Sequence, residues 1–157
     1  MRKRIIGMQT APEAGSAEAW LDLNPIAEVE VTSESPEHPI DAAFSSDDRT
    51  GWKAAASGTQ TIRLIFKPAQ SIRRIRLEFV EREVERSQEF VLHYSEGNGL
   101  ALREALRQQW TFSPRGSNVE IEDYSVDLRR VRILQLTIDP DRGKGWTIAT
   151  LNRWRIA

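Results

Sequence analysis

The densest concentration of chemically able side chains in this sequence is Asp47-Asp48-Arg49-Thr50-Gly51-Trp52, with two adjacent carboxylates, a hydroxyl and a tryptophan. Such a set could supply oxygen ligands to a hard cation, which takes about six to eight of them. It could also form half of an acid/base pair, or simply a polar turn. Glu120, Glu122 and Asp123 form a second acidic group, and on a strand-and-turn segment they read as a solvated face. The stretches "SSDD" and "TFSPRG" place serines near charges, but there is no Gly-x-Ser-x-Gly elbow, and neither His38 nor His93 has the context of a catalytic triad. No glycine-rich phosphate loop is present. With no cysteine and two histidines, disulfides, thiolate nucleophiles and multi-histidine metal centres are excluded. No enzymatic activity is expected.

The elements that must position these residues fit one domain. A chain of 157 residues can bury roughly 70% of the surface that its unfolded form exposes, enough for a core without staples. The 22 Lys+Arg against 23 Asp+Glu, a formal net charge of −1, speak against a nucleic-acid binder working by bulk electrostatics. No run approaches the ~20 apolar residues of a membrane span. The basic start "MRKRIIG" is followed by too few apolar residues for a signal peptide, so a cytoplasmic location is expected.

Residues 1–24 mix Gly, Ala, Ser, Pro and charge and are expected to form a mobile tail. From Ala27 the apolar period becomes two. Ala27, Val29 and Val31 share one face, as do Ile62, Leu64 and Phe66; Ile75, Leu77 and Phe79; Phe90, Leu92 and Tyr94; and Leu134, Leu136 and Ile138. The separators "KPAQS", "SEGNG", "SPRGSN" and "DPDRGKG" have turn-forming compositions. Short strands without intervening helices predict an all-β fold, an antiparallel two-sheet sandwich or a barrel. The segment "LALREALRQQW" is ambiguous. Its residues are strong helix formers, yet Leu102, Leu106, Trp110 and Phe112 also share one parity, which favours a strand in its second half and leaves the first half open.

Taken in order, "VTSESPEHPIDAAFSSDDRTGW", "TQTIRLIFKPAQSIRRIRLEF", "QEFVLHYSEG", "QQWTFSP", "RRVRILQLTIDPD" and "ATLNRWRIA" resemble the discoidin family, or coagulation-factor type C domains, among the galactose-binding-like jelly rolls. The resemblance spans about Ala27 to Ala157 and implies a β-sandwich domain over residues 25–157. It implies a module that binds carbohydrate, lipid or protein through loops at one end, often with a structural calcium. Asp47, Asp48 and Thr50 stand where the family's calcium turn supplies oxygens. The family's closing strand usually carries a glutamate two residues after its leucine, whereas here Leu151 is followed by Asn152 and Arg153. The expectation is that the Arg153 guanidinium takes the metal's place and pairs with Asp47 or Asp48, so that no cofactor is needed.

In such a fold the ligand end would be built from "SESPEHPID", "EREVERSQ" and "DPDRGKGW". Trp146 is the best platform for the apolar face of a sugar ring, and His38, Arg82 and Arg86 are the best polar partners. Each has a plainer alternative. Trp146 could pack against the end of the sandwich, His38 could be a surface histidine before a proline, and the two arginines could belong to a solvated charge ladder. Trp52, Trp110, Trp154, Phe66, Phe79, Phe90 and Tyr94 are expected in the core. Two functional readings follow. One is a non-catalytic module for a galactose-type sugar. The other is an intracellular protein-interaction or assembly subunit whose sugar site has degenerated.

Overall fold

The structure, a computed structural model, describes residues 20–45, 51–97, 101–142 and 144–157. Its elements are β1 (Ala27–Val31), a single helical turn α1 (Asp41–Phe44), β2 (Trp52–Lys53), β3 (Gln60–Val80), β4 (Arg86–Glu96), β5 (Arg103–Phe112), β6 (Val119–Asp139), β7 (Thr150–Leu151) and β8 (Arg153–Ile156). Every pairing is antiparallel. The fold is an all-β sandwich, as the alternating pattern predicts.

Two long strands build both layers. The first halves of β3 and the last part of β6 pair with each other between β1 and β4, with β5 outside β4. After register shifts between Ile65 and Arg74, the second half of β3 pairs with the first part of β6 and with β8. "KPAQS" is therefore not the turn that its composition suggests: β3 runs through it, and the shifts bend the strand from one layer to the other. The face-to-face arrangement is visible in side chains. Phe79 of β3 stacks on Phe90 of β4, with ring centroids 5.4 Å apart.

Between the layers lie Ile62, Leu64, Phe66, Ile75, Leu77, Phe79, Phe90, Leu92, Leu134, Leu136 and Ile138, all fully buried. Each contributes about 1.5–3 kcal/mol through burial, which explains why this parity outweighs local propensity. The same force settles "LALREALRQQW": Arg103–Phe112 is strand, paired along β4. Edge strand β1 is less covered, and Val29 is exposed. Residues 20–24, counted with the tail by composition, lie against the domain. Leu21 N–H donates to Ile156 O at 2.7 Å, Leu21 and Leu23 pack on the core, and Trp20 lies under the Arg74 guanidinium.

On β6 the acidic residues are the reverse of expectation. Val119 and Ile121 point outward and are exposed, while Glu120, Glu122 and Tyr124 point between the layers and are buried. They do so because donors meet them there: Gln88 Nε2 of β4 donates to Glu120 at 3.1 Å, and Tyr124 Oη, two residues along β6 itself, donates to Glu122 at 2.9 Å. Burial, then the hydrogen bond and charge of Glu122, push the Glu120 carboxyl up to about 9. Burial and the neighbouring Glu122 likewise raise the Tyr124 hydroxyl.

Candidate functional site

At one end of the sandwich three loops surround a cleft of about 650 Å³. His38 comes from the loop before α1, Glu81 to Val84 from the β3–β4 connection, and Trp146 to Ile148 from the β6–β7 connection. These are the three loops that the sequence singled out. Three of the four residues proposed there as ligand contacts, His38, Arg82 and Trp146, line this cleft.

Each wall is fixed by local chemistry. In the first loop, Trp52 Nε1 donates to Ser33 O at 3.0 Å, and Ile40 N donates to the Glu34 carboxylate at 2.9 Å. Backbone bonds from His38 N to Ser35 O and from Lys53 N to His38 O hold His38 beside β2. In the third loop, Ala54 N donates to Ala149 O and Gly58 N to Thr147 O at 2.9 Å. Gly58 does this at φ +89°, a conformation open to glycine and costly for other residues. Thr147 and Ala149 are thereby buried, and Trp146 between them and the loop tip is left 72% exposed.

The second wall is set by Glu81. Burial pushes its carboxyl upward, but Arg86 and the Glu83 and Val84 amides outweigh this and hold it below the usual carboxylate range. Its Oε1 accepts from Arg86 Nε at 2.7 Å, and its Oε2 accepts from the amides of Glu83 and Val84 at 3.0 and 3.2 Å. Arg82 sits at the exposed tip of this turn.

Arg86 is not a cleft residue. Its side chain is fully buried. Besides Glu81 it donates to Gln88 Oε1 at 3.1 Å, Pro140 O at 2.8 Å and Thr150 Oγ1 at 3.2 Å, and its guanidinium lies 4.7 Å above the Phe112 ring. With its donors occupied by the protein, it braces the wall from behind and cannot reach a ligand.

Three of the exposed large hydrophobics among the described residues, Val84, Trp146 and Ile148, line the cleft, and Trp146 is the most exposed of them all; Val29, Leu102, Val119 and Ile121 lie elsewhere. A contiguous apolar surface rimmed by polar groups marks a binding site. Lys53, Arg82 and Glu83 supply the charges of the rim.

Asp47, Asp48 and Thr50, the residues expected to offer oxygens to calcium, lie outside the described residues. Gly51 abuts the last strands, where a Cβ would come within 2.7 Å of Asn152 Cα. Arg153, next in sequence, is buried and stands opposite Glu78 in the β3–β8 pairing. Among the described residues there is no cluster of three or more His, Cys, Asp or Glu suited to a metal, and no helix is long and apolar enough to cross a membrane.

The chain matches no protein-family model and no curated protein sequence. Its fold, however, is that of known carbohydrate-binding modules. The CBM32 module of AlyQ, solved in complex with 4,5-unsaturated mannuronic acid, is similar with a TM-score of 0.61 and 16% identity, over 88% of this chain and 97% of that one. CBM32-3 from a family 31 glycoside hydrolase of Clostridium perfringens is similar with a TM-score of 0.63 and 16% identity, over 92% and 97%. The family 32 module of C. perfringens NanJ, solved with galactose, gives 0.54 and 14%, over 83% and 92%. The chain thus shares their β-sandwich fold.

Proposed function

We propose that this chain is a non-catalytic carbohydrate-binding module that holds a galactose-type sugar in the three-loop cleft. Trp146 carries the reading: an indole 72% exposed beside Val84 and Ile148 has little packing role and is suited to the C–H face of a sugar ring. His38 and Arg82 supply polar partners for hydroxyls. The saccharides held by the AlyQ and NanJ modules support the same ligand class. Glu81 and Glu83 are the carboxylates of the cleft, and Glu81 cannot serve as a general acid. Both of its oxygens accept hydrogen bonds and its proton affinity is lowered, the opposite of what proton donation needs.

Calorimetric titration with galactose and galactobiose tests the proposal. Binding is expected, and Trp146→Ala should weaken it by roughly tenfold or more while leaving the thermal melt unchanged. If no saccharide binds at millimolar concentration, carbohydrate is removed as the ligand class and a protein partner becomes the reading for this cleft.

A further inference from the structure

The charges at the cleft are unevenly compensated. Glu81 is neutralised from behind by Arg86 at 2.7 Å. Glu83 is the other carboxylate of the lining, and Lys53 and Arg82 are its cations. Neither cation is engaged by another side chain: the ion pairs formed by described residues join other partners, and neither residue is among those with further interactions. Both are exposed.

Their surroundings set what these cations can recognise. The exposed cations elsewhere are mostly spent on neighbours, as in Arg63–Glu30 at 3.1 Å, Arg107–Glu104 at 3.0 Å and Arg129–Asp127 at 3.3 Å. Those pairs are side-by-side ladders on strand faces, where the protein supplies the counter-charge. At the cleft the Glu81 carboxylate beside Arg82 has its oxygens taken by Arg86 and two amides, which leaves Glu83 as the one lining carboxylate against the two cations. The Arg82 fork forms no side-chain bond and lines the same cleft as Trp146. A guanidinium fork matches a carboxylate in two parallel hydrogen bonds, which a neutral hydroxymethyl group cannot offer. Lys53, a compact point charge on β2, adds attraction without geometry.

We infer that the cleft selects an acidic sugar, a hexuronate whose ring lies on Trp146 and whose carboxylate is held by Arg82 with Lys53. This rests on the sugar-binding reading and narrows it to the anionic members of the galactose-type class. Because both cations are exposed, the preference is electrostatic and screened. Raising the salt from 0.15 M, where the Debye length is about 8 Å, to 1 M, where it is about 3 Å, reduces it.

The experiment uses the intact chain and titrates it with digalacturonate, its dimethyl ester and neutral galactobiose. The ester keeps every ring hydroxyl and removes the charge. The acid is expected to bind roughly tenfold tighter than the ester, with the ratio falling toward one in 1 M salt. The double variant Arg82→Gln/Lys53→Gln should bring the acid-to-ester ratio to about one at low salt, whatever its affinity for the ester. Equal or tighter binding of the ester, or a ratio that survives in the double variant, overturns the inference. If galactobiose binds through Trp146 while the acid shows no advantage, the sugar site stands and its acidic preference falls. If none of the three binds, both fall together.

Discussion

Arg82 and Arg86 are four residues apart in "EREVERS", yet one ends in solvent and the other in the middle of the sandwich. Arg82 sits at a loop tip. Arg86 opens β4 on the inward parity of Gln88, Phe90 and Leu92, and it meets four acceptors and an aromatic face. The same side chain thus becomes an exposed cation at the cleft or a buried brace according to where a strand begins. The lesson extends to the carboxylates. On the outer face Arg74 and Asp123 meet at 2.7 Å and Arg76 pairs with Glu78, whereas Glu120 and Glu122 on the inner face are satisfied by amides, a phenol and a retained proton.

The largest break of this contrast is Arg86→Met. It leaves the largely buried Glu81 without its cation and should cost about 3–5 kcal/mol in urea denaturation at pH 7, against under about 0.5 kcal/mol for Arg82→Gln. Comparable losses for the two would mean that the buried bonds are worth no more than exposure to water.

The inner carboxylates sharpen the comparison through pH. The Glu120 carboxyl rises from an ordinary 4.5 to about 9 in the folded chain. The folded state therefore keeps a proton that the unfolded state gives up. The stability tied to this group is complete below about pH 4.5 and is lost as pH climbs toward 9, by up to roughly 1.4 kcal/mol per unit. Glu120→Gln replaces the proton with an amide donor. Its stability relative to the parent should improve steadily from pH 5 to pH 8 in chemical denaturation, and a difference independent of pH would refute a proton held there. The smallest effect concerns Arg153: addition of calcium, then chelator, should leave the thermal midpoint where it was. A rise of several degrees with calcium would mean that the Asp47–Thr50 turn holds the ion despite the arginine.

Much of the fold was readable from parity, because alternating Ile62, Leu64 and Phe66, or Leu134, Leu136 and Ile138, bury the same face in any sandwich. The three cleft loops and Trp146 were readable for a related reason: an apolar residue in a glycine-rich polar loop has no strand to hide in. The continuity of β3 through "KPAQS" was not, since a register shift is a property of two backbones rather than of composition. Arg86 and the Glu120–Glu122 pair were hidden by their charge. The signal was nonetheless present. Gln88 shares the parity of Phe90 and Leu92, Gln108 that of Leu106 and Trp110, and Glu120 that of Tyr124. Three core parities each carrying a polar member describe a buried hydrogen-bonded set, and β4's parity carried back two residues includes Arg86.

The bonds from Glu81 to Arg86, from Arg86 to Gln88 and from Gln88 to Glu120 join the cleft wall to the interior of the sandwich. The turn bearing Arg82 is therefore set before any ligand arrives. A ligand docking there would order little of the protein, so the entropy usually surrendered when a loop closes on its guest would be small. Affinity is then limited by the few groups the cleft presents, and adding contacts at the rim is a more effective route to tighter binding than stiffening the loop.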